Sequence, residues 1–264
     1  MRFSLLLFLS LFLVACSSDD SSDDSSQPNE TDYFPLTANS YWTYNNTNEQ
    51  GATRDSLYVD GVSQQNGNTY TDLGARLPIT GFTTNILANN LVRKENGKVF
   101  ILGELSIPIE GVPFAIPLND VIVVDSEASA GTQLSFLEDA IEQTIMDVPL
   151  SIEYSAETVQ ENDLESYTVS GNSYSDVEVA TLTVTLAVTA QVEVGGISIP
   201  FPVLAEQEVF TVTHYFAADI GLIYAESATD YQLEDLSGLG IEFPFPTEVS
   251  TTATQSLDTY VIGE

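Results

Sequence analysis

Few side chains in this sequence could do covalent or metal chemistry. There is one histidine, His214, and one cysteine, Cys16, in 264 residues. A single histidine excludes multi-histidine zinc sites, and a single cysteine excludes an intramolecular disulfide or a CxxC site. His214 could in principle activate a serine. However, it alternates with Phe210, Val212 and Phe216, so a core or edge position is the expected one. No G-x-S-x-G elbow, P-loop or G-x-G-x-x-G phosphate loop occurs. Carboxylates number 39, so choosing any one pair for glycoside hydrolysis is uninformative. Clustered carboxylates could hold calcium, but no D-x-[DN]-x-[DN]-G loop is present. No catalytic residue, cofactor or metal is expected, and the expectation is a non-enzyme.

The one distinctive reactive group is the Cys16 thiol. Met1-Arg2 precede a run that is apolar from Phe3 to Val14 except for Ser4 and Ser10. A basic start, a short apolar stretch and a small residue before the cut describe a secretory signal over residues 1–15. A bilayer span needs roughly 20 apolar residues, more than are present. One reading is a signal cut near Ala15 with Cys16 incidental. The other starts from Leu13-Val14-Ala15-Cys16, which resembles the lipobox of bacterial lipoproteins at every position. That resemblance implies diacylglycerol on the Cys16 sulfur and an acyl group on the new N-terminus. It accounts for a lone thiol in an exported chain, and several acyl chains together would hold stably.

Ser17 to Glu30 is a serine-aspartate run with no side chain suited to a core, and is expected to be a disordered tether. As a flexible linker it would span roughly 20 Å r.m.s.. Its Ser-Asp-Asp cluster just after the cysteine resembles the surface-export signal of Bacteroidota lipoproteins. This implies an outer-membrane anchor and display on the cell surface, with the periplasmic face as the alternative.

Six Lys/Arg against 39 Asp/Glu give a net charge of −33. Such a chain repels nucleic acid and polyanionic surfaces, whose binding depends on cationic side chains. Besides Arg2, the basic residues are Arg54, Arg76, Arg93, Lys94 and Lys98.

The pattern over residues 31–264 predicts a single all-β domain with at most one or two short helices. Ala180, Leu182, Val184, Leu186, Val188, Ala190, Val192 and Val194 alternate with threonines and polar residues, which is the period of a strand. Glu178 to Val194 at about 3.3 Å per residue gives a strand of about 50 Å, suited to a curved, wrapping sheet. Alternation continues through Ala205–Ala217 and Leu222–Leu233. Shorter strands are predicted near 40–46, 53–62, 68–75, 82–93, 98–107, 120–127, 147–160 and 165–171. Asn66-Gly67 and Asn96-Gly97 mark hairpin turns. Ser135-Phe136-Leu137-Glu138 reads as a capping box, with Leu137, Ile141 and Ile145 at i, i+4, so 135–145 is predicted helical; a bent strand is the alternative. Apolar proline-punctuated pieces at 105–118, 197–204 and 241–246 are expected to be loops or edge ribbons. They would either seal one end of the core or rim an apolar cavity.

Three stretches resemble a broad group of bacterial lipoproteins: Tyr33-Phe34-Pro35-Leu36 with Trp42-Thr43-Tyr44, Val169 to Val179, and Tyr215 to Ile223. Asn39, Ser40 and Asp219 depart from that group's usual glycine, asparagine and glycine. The resemblance implies a curved antiparallel half-barrel similar to LolA/LppX-like lipoprotein carriers, whose concave face holds acyl chains. It implies structural roles for Trp42, Tyr44 and Gly221. Asp55-Ser56-Leu57 resembles the O-glycosylation acceptor of the same bacteria, which makes Ser56 a candidate modification site. The expected function is a membrane-anchored envelope lipoprotein that binds an apolar or amphipathic ligand or an envelope partner. A surface glycan- or protein-interaction module is the alternative, and a hydrolase the least favoured reading.

Overall fold

A computed structural model describes residues 31–264, except 108–114, 146 and 237–245. The signal, Cys16 and tether readings therefore lie outside the described residues, as does most of the 241–246 piece. Among the described residues no helix is long and apolar enough to cross a membrane.

The strands are β1 (Tyr41–Asn48), β2 (Gly51–Gln65), β3 (Asn68–Arg76), β4 (Leu91–Glu95), β5 (Lys98–Ser106), β6 (Ala115–Asp125), β7 (Gln133–Ile145), β8 (Val148–Gln160), β9 (Leu164–Val169), β10 (Asn172–Val194), β11 (Ile197–Ala217), β12 (Gly221–Gln232) and β13 (Glu248–Val261). One helix, α1 (Phe82–Asn89), separates β3 from β4. The strands make one antiparallel sheet in the order β6-β5-β4-β3-β2-β1-β13-β12-β11-β10-β8-β7, with β9 hairpinned onto the start of β10. The predicted all-β class and curved sheet are present, and the sheet curls nearly to a closed barrel.

Side chains close the barrel where the ladder stops. Ser135 Oγ on β7 accepts the Ile122 amide of β6 at 2.9 Å, and Thr158 Oγ1 on β8 donates to the Ile122 carbonyl at 2.6 Å. Gln160 Oε1 accepts the Asp125 amide at 3.2 Å. Backbone groups at an edge need partners, and here hydroxyls and an amide supply them.

The inward face carries the predicted alternation. Ala180, Leu182, Val184, Leu186, Val188 and Ala190 are all buried. Phe210, Val212, His214 and Phe216 face them from β11 and are buried too. Phe34, Trp42 and Tyr44 are fully buried, and the three motif stretches meet around them. Trp42 Nε1 donates to the Ile220 carbonyl at 2.6 Å, and the Tyr44 hydroxyl donates to the Leu222 carbonyl at 3.2 Å. The Asp219 and Ala218 amides reach the Asp32 and Asp176 carbonyls. Gly221 has φ +102°, and a Cβ there would lie 3.0 Å from the Phe34 ring. Asn39 takes φ +70° in the turn before β1, as asparagine tolerates better than most residues.

Two expectations are corrected. The predicted helix at 135–145 is strand β7. Positions i, i+4 and i+8 share a strand face as well as a helix face, so Leu137, Ile141 and Ile145 fit both. The Ser135 hydroxyl binds β6 rather than capping a helix. The predicted strand at 82–93 is α1 followed by β4. The β-branched Thr83 and Thr84 argue locally for a strand, but a buried carboxylate elsewhere anchors the helix, as described below. The piece at 197–204 is an edge ribbon, as expected. It belongs to β11, paired with β10 on one side. Pro200 and Pro202 are tolerated because β12 covers β11 only from Phe210 onward, so no ladder on their other side needs their missing N–H. One strand escaped the pattern. The threonine-rich β13, with buried Gln255 on its inner face, is the piece that joins β1 to β12.

All neighbours are antiparallel, so connections sort to two ends. The β1–β2, β7–β8 and β10–β11 turns, the ends of β5 and β12, and α1 share one end. The entry at 31–40, the β11–β12 turn and the C-terminus share the other.

Candidate functional site

α1 packs into the mouth of the barrel. No side chain of its own caps it. Instead Asp55 of β2, 5% exposed, accepts the Thr80 and Gly81 amides at 3.0 and 2.7 Å and the Thr84 hydroxyl at 3.2 Å. A carboxylate beside free amides at a helix start is favourable for charge as well as hydrogen bonding. Gln255 completes the set through Thr84. At the other end Asn90 bonds the Ile86 carbonyl and both backbone groups of Glu104, tying the helix to β5.

The helix fills the space a carrier would leave open. Ile86 and Leu87 point inward with Ile101, Leu105, Leu118 and Phe216, around a residual void of about 30 Å³. Ligand pockets run from roughly 300 to 1,000 Å³. His214 lines this void, with Nε2 3.1 Å from the Thr83 hydroxyl. Burial pushes its imidazole down to about 4. It is a buried histidine on an apolar face, as its spacing suggests.

Toward the other end an inward polar group collects beneath the core. Glu178 is 5% exposed and accepts from Gln160 Nε2 at 2.5 Å. Burial, a hydrogen bond to Asp163, and the charges of Asp163, Asp176 and Asp125 push its carboxyl up to about 8. Tyr33, beside the same acids, is raised as well, by burial first. Among the described residues no group of three or more His, Cys, Asp or Glu is arranged to hold a metal ion.

Two further concavities are open. One, of about 310 Å³, lies at the mouth among Asn48, Thr80, Asn85, Ser227 and Thr251, with Phe82 and Phe210. Those two rings pack at 4.3 Å. The larger, about 830 Å³, is a groove on the outer faces of β1–β3. Ladder register puts Tyr41 opposite Tyr58, and Tyr58 opposite Gly74. The next row is Thr43, Ser56 and Arg76. Arg54 bonds Thr43 and pairs with Asp258 at one wall; Arg76 and the exposed Leu77 form the other. Ser56, the candidate glycan acceptor, sits on the floor, its hydroxyl covered and without a partner among the described residues. Elsewhere on the outside Tyr167, Tyr215 and Tyr224 pack on one another at 4.5–5.8 Å, so their faces are already used.

Arg76 and Tyr58 were not legible as site residues from sequence. The available signal was the scarcity of cations: with so few, an arginine lacking an acidic neighbour in register is conspicuous.

No family model matches the chain, and no curated protein matches it. A solved structure of a candidate lipoprotein from Parabacteroides distasonis aligns over 88% of this chain and 99% of its own. The identity is 13% and the TM-score 0.43, a likeness too loose to carry detail or function from one chain to the other.

Proposed function

We propose that this chain is a lipid-anchored lipoprotein of the cell envelope, held through Cys16 at the outer membrane and displayed on the cell surface. Its barrel is a non-enzymatic binding module that takes its ligand on the outside or at the mouth. The filled interior carries this reading. With α1 and the inward side chains in place, the void around Ile86, Leu87 and His214 measures about 30 Å³, against about 830 Å³ in the outer groove. This favours a surface glycan- or protein-interaction module over carriage of an acyl chain in the concave face. The burial of His214 against Thr83 fits a non-enzymatic reading.

Two measurements on the full chain test it. Cys16→Ala should release the protein from membranes and remove the mass of the acyl groups; a variant that stays membrane-bound at acylated mass would overturn the anchor. The detergent-extracted protein should give glycan or envelope-protein signals on an array and take up no fluorescent fatty acid. One-to-one uptake of the probe with a blank array would overturn the surface module in favour of carriage.

A further inference from the structure

The geometry points to the outer groove of β1–β3 as a binding site for a saccharide unit bearing a single carboxylate, stacked on Tyr58 and Tyr41 with its carboxylate on Arg76. The assignment rests on the surface-module reading above and gives that module a ligand class.

Charge is the first observation. Among the described residues Arg54 pairs with Asp258, Arg93 with Asp120 and Glu95, Lys94 with Asp32, and Lys98 with Asp125. Arg76 alone of the described Lys/Arg has no ion pair, in a chain carrying 39 acids. Its guanidinium lies exposed at the wall of this groove of about 830 Å³. A planar fork of donors matches a carboxylate in bidentate fashion.

The number of charges follows from the same inventory. Arg54 pairs with Asp258, and Asp55, which also lines the groove, turns its carboxylate to the Thr80 and Gly81 amides, so Arg76 is the groove cation left without an ion pair. A net charge of −33 surrounds it, and salt screens that field only beyond about 8 Å at physiological strength. A monoanion gains the local contact, whereas a polyanion gains it once and meets repulsion along the rest of its length.

The floor supplies the rest. The Tyr58 ring lies across Gly74, where a Cβ would come within 2.4 Å of Cζ. Gly74 thus lets the ring lie down on the sheet rather than stand out from it. Tyr41, 41% exposed, lies opposite in the ladder. Flat aromatic surface suits the C–H face of a pyranose, and the amide of Asn39 lines the same groove for its hydroxyls. The Ser56 hydroxyl, directly across from Arg76, has no partner of its own. An extended peptide would instead favour a free strand edge. At the groove β1 is paired on both sides, and so is β2, which leaves recognition to side chains.

The test is calorimetric titration of the detergent-solubilised full protein with a glucuronic-acid-terminated disaccharide, and with the same disaccharide converted to its carboxamide. Wild type should bind the acid at least tenfold more tightly than the amide. Arg76→Gln should weaken the acid at least tenfold and leave the amide unchanged. Tyr58→Leu should weaken both. Unchanged thermal melts would show that the variants fold. Equal affinity for acid and amide, or wild-type affinity in Arg76→Gln, would overturn the assignment. If the array detects ligands whose binding ignores Arg76 and Tyr58, the groove proposal falls while the surface module stands. If the array is blank and the fatty-acid probe binds, the module reading falls with it.

Discussion

Two strongly shifted groups on the inner face, Glu178 and His214, should shape the pH dependence of stability in opposite directions. The Glu178 carboxyl is raised from 4.5 to about 8, through burial first and then Asp163. The His214 imidazole is lowered from 6.5 to about 4 by burial. Between pH 4.5 and 8 the folded chain keeps a Glu178 proton that the unfolded chain has released, so stability falls as pH rises. Between pH 4 and 6.5 the unfolded chain binds a His214 proton that the folded chain refuses, so stability falls as pH drops. Each proton contributes at most about 1.4 kcal/mol per pH unit. From 4.5 to 6.5 the slopes oppose and the profile should be nearly level. Above 6.5 Glu178 acts without that opposition, and the loss by pH 8 should reach up to about 2 kcal/mol. Urea unfolding followed by the fluorescence of Trp42, the sole tryptophan, reads this directly at pH 5.5, 6.5 and 8. Glu178→Gln should remove the alkaline loss and unmask a fall in stability from pH 6.5 to 5.5; His214→Gln should keep the alkaline loss and extend it down to pH 5.5. A wild-type midpoint that stays flat from pH 6.5 to 8, or a Glu178→Gln protein that still loses stability there, would refute the reasoning.

Asp55→Ala takes the acceptor from two amides and from the Thr84 hydroxyl proton at the start of α1, and should cost on the order of 3 kcal/mol in urea unfolding; a loss under about 1 kcal/mol would mean the helix is held by its apolar face alone. Gly221→Ala meets both a positive φ and the Phe34 ring, and should cost more than about 1 kcal/mol, measured as a fall in the midpoint of thermal unfolding.

What was legible in the sequence was what alternation writes directly. The long β10, the inward row from Ala180 to Ala190, and the burial of Trp42 and Tyr44 follow from a two-residue period. The Asn66-Gly67 and Asn96-Gly97 hairpins follow from turn chemistry. Failures came where local signals were degenerate or overruled. Leu137, Ile141 and Ile145 share a face in either secondary structure. Phe82 to Asn89 is helical because of Asp55, which lies about thirty residues upstream and carries no local mark of that role. The filling of the barrel was hidden for the same reason, since the strand expected at 82–93 would have left its centre open. At the groove, the scarcity of cations was legible, but only the ladder register puts Arg76 beside Ser56, Tyr58 and Tyr41.

The place of β13 has a consequence for how the chain is made. It lies between β1 and β12, so the most C-terminal of the described strands joins the first of them to the second half of the sheet. Tyr41 pairs with Val261 across nearly the whole domain. Until residues 248–261 arrive, β1 and β12 are both open edges, prone to pairing with other chains. Contacts of such sequence separation are slow to form. A chain emerging N-terminus first would therefore complete its barrel only after β13 has emerged, and loss of that strand would leave two half-sheets joined by side-chain contacts, such as those of Ser135, Thr158 and Gln160 with β6, and not by a strand ladder.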